Sequence, residues 1–400
     1  MQNRNFVALC ILVFIIFNLS GLSKRGDLEK DDFDLAINQT NFGIELLQRI
    51  NSVSPKETII ISPVSISQVM ALVMMGAKAN THTEIAELLH LPDIKSELIY
   101  ESYSSQYDEL IKTSKAIVNI ANSIWYEQNF SIKNAYLKKA EEYFNARISS
   151  LDFNSPKAII EINTWVSEQT NGLIKQIITP PLDPLKVFIA LNAIYFKGTW
   201  QNEFNPKRTR IDVFQLLDGS EKRCNMMSKE DDFFYYEDES IQALNLIYNG
   251  DDLSMTIILP KAEIIINELI SEFSYDYLEK ISSEFKITDG YLLMPRYKLE
   301  YELILNDAFK DMGLEAPFLI DKADFSKMTA EKLYIDEIKH KTFIEVNEEG
   351  TEAAAVTSVG LKTVSIPKPG FIMKVNRPFL FLIRKKGNLL FLGKVVEPKE

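Results

Sequence analysis

Histidine, cysteine and the short catalytic signatures are what this chain has least of. Its 400 residues include three histidines, His82, His90 and His340, and two cysteines, Cys10 and Cys224. No GxGxxG, GxxxxGK[ST], HExxH, CxxC or GxSxG run occurs. Nothing in the chain therefore argues for the sites those signatures build for dinucleotides, nucleotide phosphates, zinc peptidases, thiol redox or serine hydrolysis. His82 and His90 stand eight residues apart on or beside one predicted helix. That spacing assembles no metal site, and surface or capping positions are expected. With Cys10 in the N-terminal apolar run, Cys224 has no partner for an intrachain disulfide. It is expected to be a small, partly buried hydrophobe.

Excess positive charge is missing too. Lys and Arg number 44 against 56 Asp and Glu, a formal net charge of -12. A broad nucleic-acid or heparin-type footprint needs a concentrated basic face. Lys207-Arg208-Thr209-Arg210 and Arg384-Lys385-Lys386 are local clusters only, the second in a predicted hairpin turn where solvated charge is expected. Asp231-Asp232 and Asp251-Asp252 read as polar loops. Internal repeats and low-complexity linkers are absent.

Long apolar runs are limited to the N-terminus. Arg4 precedes an unbroken apolar run, Phe6 to Phe17, and small residues follow. This is the layout of a secretory signal peptide, with a run short for a membrane span. Residues 1–23 are expected to be removed, leaving 24–400 as a secreted single domain. Sequons at Asn38-Gln39-Thr40 and Asn129-Phe130-Ser131 could then carry glycans.

What remains is an ordinary globular chain, 46% hydrophobic and 25% charged, with ample apolar residue for a large core. Phe42, Leu46 and Ile50 mark an amphipathic helix. Ser62-Pro63 reads as an N-cap with proline at the first helical position, opening a helix that is apolar nearly all round. Thr81 to Glu84 has capping-box spacing. AIVNIANSIWY (116–126) and VFIALNAIYF (187–196) read as strands covered on both faces. EINTWVSEQTNGLIKQII between them reads as helical with a break at Asn171-Gly172, and FLFLIR-KKGN-LLFLGKVV as a hairpin. The first half is helix-rich and the second strand-rich, which predicts an α+β fold with large sheets.

Residues 348–370 stand apart. EEGTEAAAVTSVGLKTVSIPKPG lies between KTFIEV and the apolar C-terminal strands, and a loop this long is usually functional or disordered. Its small residues are free of proline until Pro367 and can donate every backbone N–H to a ladder. In a strand, Thr351, Ala353, Ala355, Thr357, Val359 and Leu361 would share one face, Glu352 and Lys362 the other. The segment is a loop by setting and a strand by chemistry.

NEEGTEAAA, KVNRPFLFLI, ISPVSI, NAIYFKGTW and IEVNEEG occur together and in order, and with them the chain resembles the serpin family over essentially its whole mature length. The resemblance implies a fold of three β-sheets, about nine helices and an exposed reactive-centre loop. It implies a suicide-type inhibitor of serine (or cysteine) proteases and not an enzyme. Loop cleavage gives an acyl-enzyme, and the freed loop inserts into the main sheet, a form of strand addition that releases stored strain. The hinge would be Glu348, Gly350, Thr351, Glu352, Ala353, Ala354 and Ala355, of which Thr351 and the three alanines fit rapid insertion. Family loop length places the scissile bond between Val364 and Ser365, which suits an elastase-like enzyme. Lys362 is the alternative cleavage residue, for a trypsin-like one. Ser62, Ser65, Asn192 and His340 match the shutter; Trp200 and Arg296 match the breach, with Arg296 paired to Glu348. The expected partner is an extracellular serine protease met by a monomer without cofactor or metal. A non-inhibitory carrier, storage or signalling relative is the alternative.

Overall fold

The computed structural model describes residues 33–112, 116–183, 185–250, 253–351 and 369–399. The predicted signal segment and the loop residues Glu352 to Ala355, Lys362, Val364 and Ser365 lie outside them, as does Asp251-Asp252.

From Asp34 onward the chain runs α1 (Leu35–Val53), β1 (Ile59–Ile61), α2 (Pro63–Gly76), α3 (Ala79–Leu88), α4 (Ser96–Ile111) and β2 (Ala116–Glu127). Then come α5 (Asn134–Phe144), β3 (Arg147–Leu151), α6 (Pro156–Gln169), β4 (Phe188–Thr199), β5 (Arg210–Gln215) and β6 (Glu221–Glu237). β7 (Ile241–Ile247), β8 (Leu253–Pro260), α7 (Ile266–Glu272), α8 (Tyr275–Glu284), β9 (Lys286–Pro295), β10 (Tyr297–Ile304) and α9 (Asn306–Asp311) follow. The chain closes with β11 (Glu337–Val346), β12 (Gly350–Thr351), β13 (Phe371–Lys374), β14 (Phe379–Lys385) and β15 (Asn388–Val395). Nine α-helices among the described residues and two large sheets make this an α+β fold.

One sheet has the order β10-β11-β12-β4-β2-β3; the other has nine strands, β1-β15-β14-β8-β7-β6-β9-β13, with β5 on β6. The long β6 joins two regions of the second sheet. Its first part pairs with β5 and β9, and its last four residues, Phe234 to Glu237, also pair with β7. The three sheets that the resemblance implies therefore appear as two hydrogen-bonded sheets, because β6 pairs with β5 and β9 and also with β7.

Strands β2 and β4 are covered on both faces over most of their length, as their apolar-rich runs require. Val118, Ile120, Ile194 and Phe196 point into the core between the sheets. Ala121, Trp125, Ile189 and Leu191 point into a second cluster with Trp165 and Ile162 of α6. Helix α2 lies within the molecule with every residue buried. Its cap is the one the sequence announces, Ser62 Oγ accepting from Ser65 N beside Pro63. In the C-terminal hairpin, Lys386 (φ 48°) and Gly387 (φ 85°) form the two-residue loop, the positive-φ pair whose twist matches the flanking strands.

Several local expectations are corrected. Helix α3 begins at Ala79, two residues before the expected cap. Thr81 and Glu84 instead hold a distant segment: Thr81 Oγ1 accepts from Asp324 N, and Glu84 accepts from Glu315 N and Ala316 N. No helix follows Asn171-Gly172, both at positive φ; Ile174, Ile177 and Ile178 pack as irregular chain into the second cluster. Asp231-Asp232 is in β6, not in a loop, and Asp231 pairs with Lys229. Of Arg384-Lys385-Lys386, only Lys386 is exposed at the turn as expected. Lys385 is buried and donates to the carbonyls of Glu109 and Leu110 at the end of α4, where a cation meets the negative pole of the helix. Arg384 and Lys386 pair with Glu279 and Glu109.

Candidate functional site

Strands β4 and β11 are neighbours for only part of their length. They pair in parallel from Ile189↔Glu337 to Tyr195↔Phe343, then diverge. Into the gap comes β12, antiparallel to both: Thr351 lies opposite Val346 of β11 and Gly198 of β4, and Gly350 opposite Thr199. The start of the predicted hinge therefore occupies the top of the sheet. Gly350 takes φ +154°, and a Cβ there would lie 2.0 Å from the Gly198 carbonyl oxygen. Only glycine permits that approach.

The approach to the hinge is bonded at almost every residue. The Trp200 indole donates to Asn347 O at 3.0 Å, and its backbone N–H donates to Glu349 O at 2.8 Å. Phe204 N donates to Glu348 O at 2.8 Å. The Glu348 carboxylate accepts from Thr209 Oγ1 at 2.6 Å and lies 3.7 Å from the Arg296 guanidinium. Arg296 is half-exposed, so screening limits what that ion pair contributes. Glu349 titrates above the usual carboxylate range because of burial, with Glu203 and Glu348 adding repulsion. A cavity of about 330 Å³ adjoins this point, lined by Pro206, Arg296, Lys298, Glu345 and Glu348 among others.

Lower down, Ser62, Ser65, Asn192 and His340 meet beneath the parallel pair, all fully buried. Ser62 N donates to His340 Nε2 at 3.2 Å. A backbone N–H can only donate, so Nε2 must be the acceptor and the proton must sit on Nδ1. Nδ1 then donates to Asn192 Oδ1 at 2.7 Å, and Asn192 Nδ2 donates to Ser65 O at 3.0 Å and Asn122 Oδ1 at 2.7 Å. The chain ends as Asn122 Nδ2 donates to Gln68 Oε1 at 3.1 Å. Burial pushes the His340 pKa down to about 3, keeping the ring neutral. His340 is on β11 and Asn192 on β4, so their bond crosses the strand pair and cannot persist if a strand comes between them.

The family model described as Serpin (serine protease inhibitor) matches residues 37–398. The chain belongs to the serpin family. Leukocyte elastase inhibitor A of Mus musculus is 34% identical over 376 residues, 90% of this chain and 98% of that protein. The native crystal structure of tengpin, a thermophilic serpin, superposes with a TM-score of 0.84 at 32% identity, covering 94% of this chain and 96% of that one. Human thyroxine-binding globulin complexed with thyroxine superposes at 0.85 and 26% identity, covering 92% and 99%. Serpins are mostly protease inhibitors and not enzymes, yet this last neighbour carries a small molecule, so membership leaves both kinds open.

Other parts of this serpin's site were not singled out from sequence. Asn122 and Gln68 extend the seam under the strand pair, and Tyr248 meets the hinge from below. On the opposite face of β11, Lys339 donates to Ile177 O and pairs with Glu302, both at 2.7 Å. Lys341 pairs with Glu300 at 2.6 Å and donates to Gln176 O. These two lysines tie the segment after α6 across the strand pair. In sequence they look like the solvated side of EIKHKTFIEV. Of the sequons, Asn38 lies within α1 with its amide donating to His90 O, and Thr40 is buried. Asn129 is exposed in the turn after β2. Cys224 is buried, its thiol 3.6 Å from Met226 Sδ. His90 pairs with Glu45, and His82 is half-buried with Ser96 near it.

Proposed function

We propose that this chain is a secreted, monomeric serpin that inhibits an extracellular serine protease of elastase-like preference by trapping it as an acyl-enzyme. The seated hinge carries the reading: Gly350-Thr351 is already antiparallel to β4 and β11 where their parallel pairing ends. In the reaction the protease serine attacks the Val364 carbonyl, the Val364–Ser365 bond breaks, and the amine beginning at Ser365 leaves. The acyl-linked loop then continues along the register that Thr351 starts. Equal steps from Thr351↔Val346 and Thr351↔Gly198 bring Thr357 opposite both His340 and Asn192. The inserting strand thus breaks the His340–Asn192 bond between β11 and β4 and offers a hydroxyl in its place. It also replaces a parallel ladder with two antiparallel ones, which are slightly more stable per residue. Fourteen residues, Thr351 to Val364, extend roughly 45 Å, enough to carry the bound protease far along the sheet.

Secretion rests on the layout of residues 1–23 and accords with an exposed sequon at Asn129. A carrier role is the second reading, favoured by the likeness to thyroxine-binding globulin. Incubation with elastase-like and trypsin-like proteases, followed by denaturing gel and mass spectrometry, separates the readings. The expected result is an SDS-stable complex and a released peptide beginning at Ser365. A peptide beginning at Thr363 moves the bond to Lys362. Cleavage without a covalent complex would sink the inhibitor and leave the carrier.

A further inference from the structure

Thr351, the second residue of β12, is held by a side chain that no strand or turn signal marks. Thr351 is fully buried, and its Oγ1 lies 2.7 Å from the Tyr248 phenol oxygen. Tyr248 is itself buried and rigidly placed. Its ring stacks on Trp200 at 4.3 Å and 18°, and meets Phe196 edge-on at 5.2 Å and 84°. A backbone bridge pairs it with Trp200, and Asn249 beside it donates to Thr199 Oγ1 and to Trp200 O, both at 3.1 Å. The phenol is therefore a fixed post at the point where β4 and β11 diverge.

We propose that Tyr248 is the positioning residue that seats the hinge, selecting a hydroxyl at 351 and fixing which face of the inserting strand turns to the core. This rests on the inhibitory reading given above. Side chains alternate along a strand, so once Thr351 faces Tyr248, residues 353, 355 and 357 are committed to the same side. A slip by one residue would bring Glu352 against the phenol and turn every later side chain to the wrong face. A carboxylate buried there without a cation is strongly disfavoured, and the hydroxyl pair rewards the correct register. In the race between loop insertion and hydrolysis of the acyl-enzyme, a hinge already in register starts ahead.

The test uses the full chain and three variants: Tyr248→Phe, Thr351→Val and the double substitution. Phenylalanine keeps the ring stack, so the fold is retained, but it leaves the Thr351 hydroxyl buried without its partner. Hydrogen exchange of the segment around Gly350 and Thr351, read without protease, should quicken about tenfold in Tyr248→Phe. The stoichiometry of inhibition should rise at least about twofold as more inhibitor is cleaved and released. Adding Thr351→Val should restore protection towards the wild-type value, because two apolar groups then face each other. Unchanged exchange in Tyr248→Phe, or a double variant no better protected than the single, overturns the proposal. A wild-type chain that traps no protease would sink the inhibitory reading alone, since the exchange measurement does not depend on it.

Discussion

Acid should loosen the main sheet through one residue. His340 is fully buried on β11, and its pKa of about 3 compares with 6.5 for an unhindered imidazole. The native chain keeps the ring neutral, while the unfolded chain takes up a proton below about pH 6.5. Over that interval the unfolded state binds more protons. The stabilisation is therefore complete above about pH 6.5, falls as the pH drops, and is exhausted near pH 3. At about 1.4 kcal/mol per unit, going from pH 7 to pH 5 removes roughly 2 kcal/mol, and the whole interval on the order of 5 kcal/mol. The proton also acts locally. An imidazolium has N–H groups on both nitrogens, so Nε2–H would face Ser62 N–H, another donor. The assay is thermal unfolding, with the rate at which a synthetic Thr351–Val364 peptide anneals into the sheet, each followed across pH for wild type and His340→Gln. The glutamine amide can accept from Ser62 and donate to Asn192 without titrating, and carboxylates elsewhere cancel in the comparison. Wild type should lose about 2 kcal/mol more than the variant between pH 7 and pH 5, and should anneal peptide faster in acid. Equal slopes for the two proteins would refute the assignment of the seam to His340.

Gly350→Ala places a Cβ 2.0 Å from the Gly198 carbonyl, so the hinge should leave the sheet; limited proteolysis near residue 350 should speed up about tenfold. Glu348→Ala removes the acceptor of the Thr209 hydroxyl and one member of a screened ion pair. It should cost about 1–2 kcal/mol and promote polymerisation on warming, read by native gel. Lys385→Met strips the buried ammonium from the carbonyls ending α4 and should cost about 1–3 kcal/mol in denaturant unfolding. Expressed through a secretory route, Asn129→Gln should lose the mass of one glycan, whereas Asn38→Gln should lose none, because the Asn38 amide is already bonded to His90 O.

The signals legible in sequence were local or periodic. The Ser62-Pro63 cap, the apolar-rich runs of β2 and β4, and the turn of the C-terminal hairpin each depend on a few consecutive residues, and the structure places them as read. The resemblance supplied residue types at the seam and the hinge, but no sequence feature said that His340 would face Asn192 across a strand pair. β6 escaped detection because its charged residues look like loop; only partners far along the chain, β5, β7 and β9, make it a strand. Lys385 read as solvated for the same reason, its acceptors Glu109 O and Leu110 O being 276 and 275 residues away. Tyr248 and Gln68 gave no signal at all.

The sequence by itself thus determined the elements with a clear apolar period or cap, the small and strand-capable hinge, and the α+β class, since these follow from backbone propensity and the spacing of apolar side chains. The tertiary structure alone decided that β4 and β11 pair over only part of their length, that Gly350-Thr351 fills the opening, and that a neutral imidazole bridges the strands below. Those are meetings between residues distant along the chain, and only packing brings them within hydrogen-bonding distance.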